Sequence, residues 1–293
     1  MTEQEVLEKS ELPYLMRIDL RILNHLGIHL YSNVAAVLSE AVANAWDAEA
    51  TEVAIDISSD RITIRDNGSG MNQAQINDRF LNVGYDKRRQ EGDASSNKNR
   101  RHMGRKGIGK LSLFSVADMV DVYTSNGEER HAFRMEIDKI RESIEARGQY
   151  YPQPIDSINL KGTHIVLSAL KRKRVSRTPD ALRKRLARRF SIIGYRSATD
   201  SFDVLINGQK VTSRDREDLR RLEFLWEFGD KQIISSANLP GVRRRDLISG
   251  CVREDQGWSV TGWIGAVPEP KQLTSDDAGA LKEALIYSEP VEY

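Results

Sequence analysis

The stretch EAVANAWDA, residues 40–48, carries the pattern that decides how the first part of this chain folds. It belongs to a longer segment, residues 33–48, in which apolar residues recur at helical spacing. Glu40, Asn44 and Asp47 fall within roughly 60° of one another on one face of that helix. The face has no lysine or arginine to form the ion pairs of a solvated helix surface, and its oxygens suit a hard cation such as Mg²⁺. The pattern is compatible both with a solvated helix face and with a cation site.

A hairpin and a glycine-containing turn follow the helix. Residues 53–57 and 61–65 alternate as two strands, and Asp66-Asn67-Gly68-Ser69-Gly70 ends the second one. Glycine lets backbone approach a ligand closely, and the Asp66 carboxylate can accept a hydrogen bond from an exocyclic amine such as that of adenine. The alternative is a tight Asx-type turn, because aspartate, asparagine and glycine are the usual turn residues.

A second group of glycines, GRKGIGK at residues 104–110, follows a long polar segment, residues 84–103, that is typical of a lid or a disordered loop. The spacing matches the G-x-x-x-x-G-K core of a P-loop, but Leu111 stands where a P-loop needs serine or threonine. The preceding residues, 97–102, are polar and basic, whereas a P-loop follows a buried apolar strand. Glycines before a helix still favour phosphate binding by backbone N–H groups. The segment therefore predicts a phosphate-binding loop other than a P-loop.

In this order, the motifs resemble those of the GHKL ATPase superfamily, which includes DNA gyrase B subunits, heat-shock chaperones of the ninety-kilodalton class, histidine kinases and MutL mismatch-repair proteins. Residues 40–48 resemble its N box, residues 66–71 its D-x-G-x-G box, residues 104–112 its glycine-rich lid box, and Gly162-Thr163 its last box. The resemblance covers about residues 20–190, and residues 107–124 are most similar to the chaperones and to the microrchidia ATPases.

The resemblance implies an α+β fold in which residues 1–195 form the two-layer α/β sandwich known as the Bergerat ATP-binding fold. Residues 196–293 would form a partial transducer-like α/β domain, or an interaction domain. We expect this second domain to be incomplete, because no obvious closing element follows Pro290. The other elements that periodicity predicts are helices near 72–82, at 111–117 and at 179–190, and strands at 119–124, 131–137, 164–168, 202–206, 232–235 and 259–264.

The resemblance also assigns roles to individual residues. Asn44 would hold Mg²⁺ against the phosphates of ATP, Asp66 would bind the adenine amine, and Glu40 would be the general base for the attacking water. Asp47 and the Thr163 hydroxyl would support the adenine end of the site, and the glycine-rich segment would close over the phosphates as a lid. The residues assigned to nucleotide binding are Asn44, Asp47, Asp66, Gly68, Gly70, Met71, Gly104, Lys106, Gly107, Ile108, Gly109, Lys110 and Thr163.

The composition of the 293-residue chain limits the remaining possibilities. Its formal net charge of +1 indicates no particular partner, and its single cysteine is incompatible with an internal disulfide framework. No apolar run reaches the ~18–20 residues needed to span a bilayer, so we expect a cytoplasmic protein without a membrane partner. Charge is concentrated at residues 171–189, where ten basic residues accompany one acidic residue. This stretch is either a solvated linker with a basic helix or a sequence-independent contact with nucleic acid.

Three functions are compatible with these patterns. The first is an ATP-driven switch, in which ATP orders the lid, promotes a homodimer through the N-terminal segment and is then hydrolysed. The second is a nucleotide-binding interaction module with little turnover. The third is a kinase of the histidine-kinase type, which is disfavoured because none of the five histidines lies in a phosphoacceptor motif before a long helical pair. In gyrase-type relatives the second domain lends a basic residue to the γ-phosphate, and Lys271 is a candidate for that role here.

Overall fold

The computed structural model describes residues 13–16, 34–82, 98, 100, 102–103, 109–146, 149–171, 179–190, 200–229, 239–248, 252–253, 258–259 and 262–267. The chain divides into two compact units, Met1–Val211 and Thr212–Tyr293. Within the described ranges, no helix is long and apolar enough to cross a membrane.

Eight strands of the first unit form one sheet. In chain order they are β1 (Glu52–Ile57), β2 (Arg61–Asp66), β3 (Ala117–Ser125), β4 (Arg130–Glu136), β5 (Gln153–Pro154), β6 (Gly162–Leu170), β7 (Asp203–Ile206) and β8 (Gln209–Lys210). Their order across the sheet is β5-β4-β3-β6-β2-β1-β7-β8. Neighbouring strands are antiparallel except β1 and β7, which run parallel.

The helical elements of this unit are α1 (Val34–Asp47), α2 (Gln73–Gln75) continued by a π turn at Ile76–Phe80, a 3₁₀ helix at Gly109–Ser115, α3 (Ile137–Glu145) and α4 (Pro179–Arg189). Alternate residues of the central strands, such as Ile64, Val122 and Leu167, join the apolar side chains of α1 in one buried cluster. Burial of this apolar area from water is the main term that stabilises the unit.

The opposite face of the sheet carries mainly polar side chains. Arg65, His164 and Tyr123 are neighbours across β2, β6 and β3, with ring centroids of His164 and Tyr123 5.7 Å apart. Because side chains alternate along a strand, one face can be apolar and packed while the other is polar. The result is the two-layer α/β sandwich that the resemblance implies, and the α+β fold class is confirmed.

The first unit extends beyond the boundary predicted at residue 195. Strand β7 pairs with the edge of β1, with the Asp203 N–H donating to the Thr51 carbonyl at 2.9 Å and the Asn207 N–H donating to Ile55 at 2.8 Å. These bonds satisfy backbone groups that a free strand edge would leave unpaired. The unit therefore ends at Val211.

Two predicted helices have a different form in the structure. The segment near residues 72–82 begins with a capping box between Asn72 and Gln75 and then widens into the π turn, closed by the Leu81 N–H donating to the Ile76 carbonyl at 2.7 Å. The helix predicted at 111–117 is the 3₁₀ helix, which stops at Ser115 because β3 begins at Ala117. The remaining helices and strands predicted in this unit lie close to where periodicity places them.

The second unit contains a short helix α5 (Glu217–Arg220) and strands β9 (Phe224–Phe228), β10 (Arg244–Ile248), β11 (Val252–Arg253), β12 (Trp258–Ser259) and β13 (Gly262–Ala266). One sheet has the order β10-β9-β13, and β11 pairs with β12. Leu219, Leu222, Leu225 and Leu239 form its small core. The strand predicted at 259–264 is divided between β12 and β13. The strand predicted at 232–235 and Lys271 both lie outside the described residues.

Candidate nucleotide-binding site

Helix α1 is enclosed on nearly all sides. Of its fourteen residues, Ala36, Glu40 and Asn44 keep partial or full exposure, and the other eleven are buried. Their spacing of four places the three along one narrow line of the helix. A helix with an ordinary solvated face would leave a much wider strip accessible. Glu40 and Asn44 are thus the polar groups on the single accessible line of an otherwise buried helix.

Asp47 does not share that line. It is buried, and its Oδ1 accepts the backbone N–H of Met103 at 2.7 Å. The Nδ1 of His102, also buried, lies 3.8 Å from the same oxygen. In the structure Asp47 holds His102 and Met103 against the end of α1, and its support of the adenine end stays a prediction.

The turn after β2 is packed onto the C-terminal end of α1. The Ser69 N–H donates to the Ala48 carbonyl at 2.8 Å, and a Cβ on Gly68 would lie 2.7 Å from that same carbonyl oxygen. Gly68 is therefore explained by contact with the helix end, whereas the resemblance assigns it to the approach of a base. These contacts join the N box directly to the D-x-G-x-G box.

Two further glycines bring strand ends against this turn. Gly70 has a φ of +64°, and a Cβ there would lie 1.9 Å from the carbonyl oxygen of Ser125. Gly162 has a φ of +86°, and a Cβ there would lie 2.2 Å from the carbonyl oxygen of Asp66. Both positions require glycine for backbone conformation and for space. Together they place Asp66 at the junction of β2, β3 and β6.

The environment of Asp66 makes its ionisation costly. The residue is partly accessible, yet protein atoms surround most of its carboxyl group, and this desolvation raises its pKa to about 6. Hydrogen bonds from the backbone N–H groups of Gly68 (2.9 Å to Oδ1) and Thr163 oppose the rise. A perturbed carboxyl group of this kind is a functional-site candidate, and it retains capacity to accept further hydrogen bonds.

A buried threonine that no sequence motif indicated connects the two boxes around Asp66. The Thr124 hydroxyl donates to the Gly162 carbonyl at 3.2 Å and accepts the Met71 N–H at 3.0 Å. Its oxygen lies 3.3 Å from that of Thr163. Because a hydroxyl has one proton, Thr163 is the donor in that contact and keeps acceptor capacity for another group. Thr124 resembles any other polar residue at a strand end, so the sequence offered no signal for it.

The glycine-rich segment is only partly described. Gly104, Lys106, Gly107 and Ile108 lie outside the described residues, while the backbone of Gly109 and Lys110 begins the 3₁₀ helix that packs against α1. The described residues contain no group of three or more His, Cys, Asp or Glu that could hold a metal. Mg²⁺ bound with nucleotide phosphates needs only one or two protein ligands, and the accessible amide of Asn44 fits that requirement.

Comparison with known proteins agrees with this architecture. Residues 31–164 match the family described as histidine kinase-, DNA gyrase B-, and HSP90-like ATPase. The chain is 35% identical over 272 residues to a putative type II restriction enzyme, HgiDII, of Herpetosiphon aurantiacus, covering 91% of this chain and 43% of that protein. It is 29% identical over 167 residues to the chaperone protein HtpG of Vesicomyosocius okutanii, covering 49% and 26%. With HtpG of Orientia tsutsugamushi the identity is 27% over 167 residues.

The fold and the site therefore define a nucleotide-binding domain of the α/β sandwich type. More particularly, residues 31–164 match the GHKL-type ATPases, a superfamily whose members bind ATP, in general with Mg²⁺. The chain spans less than half the length of the curated relatives that it matches.

Proposed function

We propose that this protein binds Mg²⁺-ATP, hydrolyses it, and uses the cycle to switch between conformations that act on DNA. The observation that carries the proposal is the arrangement of Asp66 and α1. A carboxyl group with a raised pKa lies at the junction of three strands, on a turn that packs onto the helix whose accessible line carries Glu40 and Asn44. Asp66, Glu40 and Asn44 are the groups needed to bind adenine, to activate the attacking water and to hold the metal, respectively.

In this proposal Asp66 and Thr163 select the base. The ionised Asp66 carboxylate accepts a hydrogen bond from the adenine amine, which offsets the cost of its burial. Thr163 Oγ accepts a hydrogen bond from the base or from a bridging water. The hydroxyl of Thr124 and the backbone N–H of Gly68 hold both groups in place before the nucleotide arrives.

Glu40 and Asn44 act at the phosphate end. Asn44 would be the protein ligand of Mg²⁺, which neutralises phosphate charge when it is bound. Glu40 takes a proton from water as the water oxygen bonds to the γ-phosphorus, and the bond from that phosphorus to the bridging oxygen of ADP breaks. The products are ADP and inorganic phosphate.

The switch itself rests on connections between the site and the N-terminal segment. Gln73 and Asn77, which follow the Asp66–Gly70 turn, donate to the Pro13 carbonyl at 2.9 and 3.0 Å. The Leu15 N–H donates to Asn77 Oδ1 at 3.1 Å. These bonds support the proposal that ATP binding alters the N-terminal segment, closes the glycine-rich lid and promotes a homodimer.

DNA is the favoured client for two reasons. One relative is named as a putative restriction enzyme, and its similarity covers nearly the whole of this chain. Helix α4 also carries five basic residues against one acidic residue, Asp180. Electrostatic contact of this kind is independent of base sequence and sensitive to salt.

The proposal is tested by comparing wild-type protein with Glu40→Ala. We expect wild type to release phosphate from Mg²⁺-ATP, and we expect Glu40→Ala to lose turnover while keeping ATP affinity. Ultracentrifugation with a non-hydrolysable analogue should then show a dimer that is absent without nucleotide. Equal turnover in both proteins would refute the role of Glu40. Binding of ATP without turnover in wild type would favour the nucleotide-binding module, and label transferred to protein would favour a kinase.

A further inference from the structure

Arg100 is buried at the C-terminal end of α1, with 4% of its surface exposed. Its Nη1 donates to the carbonyl oxygens of Trp46 at 3.3 Å and Ala50 at 2.7 Å. Its guanidinium carbon also lies 4.1 Å from the centre of the Trp46 ring. Trp46 lies in the last turn of α1 and Ala50 follows the helix by three residues, so Arg100 binds the C-terminal end of α1 and the chain just after it.

The other edge of the same guanidinium group binds Asp200. Nε donates to Oδ2 at 2.7 Å and Nη2 donates to Oδ1 at 2.6 Å, a bidentate pair that fixes the plane of the group. Lys98 Nζ donates to Oδ1 at 2.7 Å. The Arg100 hydrogen bond is the largest cause that holds the pKa of Asp200 well below its usual range. Asp200 directly precedes the segment that enters β7, so Arg100 joins that segment to α1.

The residues after Arg100 are bonded to the same helix end. Met103 donates its N–H to Asp47 at 2.7 Å, and His102 Nδ1 lies 3.8 Å from that carboxylate. Met103 directly precedes Gly104, and Asp47 lies one turn after Asn44 on α1. Arg100 therefore belongs to the set of contacts that holds Met103 at this end of α1, one turn from Asn44.

We propose that Arg100 is a positioning residue of the nucleotide site, which holds Met103 and the Asn44 end of α1 in the geometry that binds the phosphates. The role rests on the function proposed above. Arg100 acts through α1 and Met103, and it does not itself touch the nucleotide. A planar guanidinium group is required, because it must donate to two carbonyls, stack on Trp46 and bind a carboxylate bidentately at once.

Burial of a charged pair is a poor way to stabilise a core, since apolar residues of similar volume often do as well. Here the pair joins α1 to the segment before β7, and this connection gives it a use other than stabilisation of the core. A suitable control is Arg134, which forms a comparable bidentate pair with Asp121 at 2.6 and 2.7 Å on the polar face of the sheet. Arg134 contacts none of the residues assigned to the nucleotide in any described hydrogen bond or ion pair.

The experiment compares wild type with Arg100→Lys, Arg100→Ala, Asp200→Asn and Arg134→Ala in the full chain. Amide hydrogen exchange without nucleotide measures the protection of Met103, and calorimetric titration measures the Kd of Mg²⁺-ATP. We expect both Arg100 variants to raise Met103 exchange at least about tenfold and to weaken ATP binding roughly 10- to 100-fold. Asp200→Asn should show a smaller change in the same direction, and Arg134→Ala should leave both values close to wild type.

A further measurement distinguishes loss of the Arg100 contacts from unfolding of the variant. Millimolar guanidinium chloride, far below denaturing concentrations, should restore part of the ATP affinity of Arg100→Ala and leave Arg100→Lys unchanged. If Met103 exchanges at the wild-type rate in Arg100→Lys, the proposal is overturned, whether or not wild type binds ATP. Altered exchange together with wild-type ATP affinity would overturn it too, because the contact would then be structural only. Failure of wild type to bind ATP refutes the proposed function separately.

Discussion

Gly162 and Asp66 approach so closely that a Cβ on the glycine would lie 2.2 Å from the aspartate carbonyl oxygen. This contact joins the last motif of the domain to the second, at the start of β6. Because the obstacle is backbone and Gly162 also has a φ of +86°, neither side-chain movement nor a change of rotamer can relieve it.

We therefore expect Gly162→Ala to destabilise the protein by more than about 3 kcal/mol. The matched control is Gly208→Ala, because Gly208 has a similar φ of +74° but no atom within 4 Å of the added Cβ. That control should lose only about 1–2 kcal/mol. Urea denaturation gives both free energies of unfolding, and equal losses would contradict the close contact at Gly162.

Asp66→Asn should stabilise the protein without nucleotide while weakening ATP binding. The pKa of Asp66 rises from 3.8 to about 6 on folding, so the native state binds more protons than the unfolded state between these values. Stability consequently falls as the pH rises through this window, and the ionised group costs up to about 3 kcal/mol above it. Asparagine removes the charge and keeps an oxygen for the Gly68 N–H.

Thermal unfolding of Asp66→Asn and wild type across pH measures this effect. We expect the variant to gain stability over wild type at about pH 7.5, and the difference to disappear near about pH 4. Exposed Asp78 provides the control substitution, Asp78→Asn, which makes the same change of atoms on the protein surface. A variant that is less stable than wild type at the higher pH would contradict the desolvation of Asp66.

Adenine affinity should rise with pH through the pKa of Asp66. The ionised carboxylate accepts a stronger hydrogen bond from the amine than the neutral carboxyl group does, so the apparent Kd depends on the ionised fraction. Between about pH 5 and pH 7 we expect an approximately tenfold increase in affinity. Adenosine is the suitable ligand for ligand-observed NMR, because it lacks phosphates that titrate in this range. A flat profile would exclude Asp66 as the group that binds the amine.

Thr124→Val should lower stability by about 1–3 kcal/mol, because it leaves the Met71 N–H and the Gly162 carbonyl without their hydroxyl partner. It should also weaken ATP binding, since Thr163 loses the contact that orients its hydroxyl. Thr63→Val, on the polar face of the sheet, is the matched control for the same change of atoms. Urea denaturation and calorimetric titration report the two effects, and a neutral Thr124→Val would exclude the proposed hydroxyl network.

Reversing charge on α4 should weaken DNA binding. The positions changed to glutamate are Lys184, Arg188 and Arg189, three of the basic residues of this helix. Each phosphate contact that is lost should reduce the slope of log affinity against log salt by about one. The control changes Lys139 and Arg141 to glutamate on α3. An unchanged salt slope in the α4 variant would reject this helix as the DNA contact, and clients of the chaperone type would then be tested.

The sequence alone determined the order of the motifs, most of the strands and the two helices α1 and α4. These elements are set by local periodicity: alternate residues of β2 are buried, and the apolar residues of α1 recur every three or four positions. Periodicity predicts these elements correctly because each one buries its apolar face, whichever part of the protein packs against that face. Asp66 could also be predicted as a candidate site residue, since an aspartate before Gly-x-Gly at a strand end is a local pattern.

Only the tertiary structure decided what the neighbouring residues do. Asp47 lies within the same sequence pattern as Glu40 and Asn44, but α1 is enclosed, and residues 102–103 cover the side that carries Asp47. Gly68 is required by the end of α1, and Gly70 by the end of β3. The junction of α1 with Arg100 and Asp200 joins residues one hundred positions apart. Contacts at such separations depend on how the elements pack, which no local pattern of residues records.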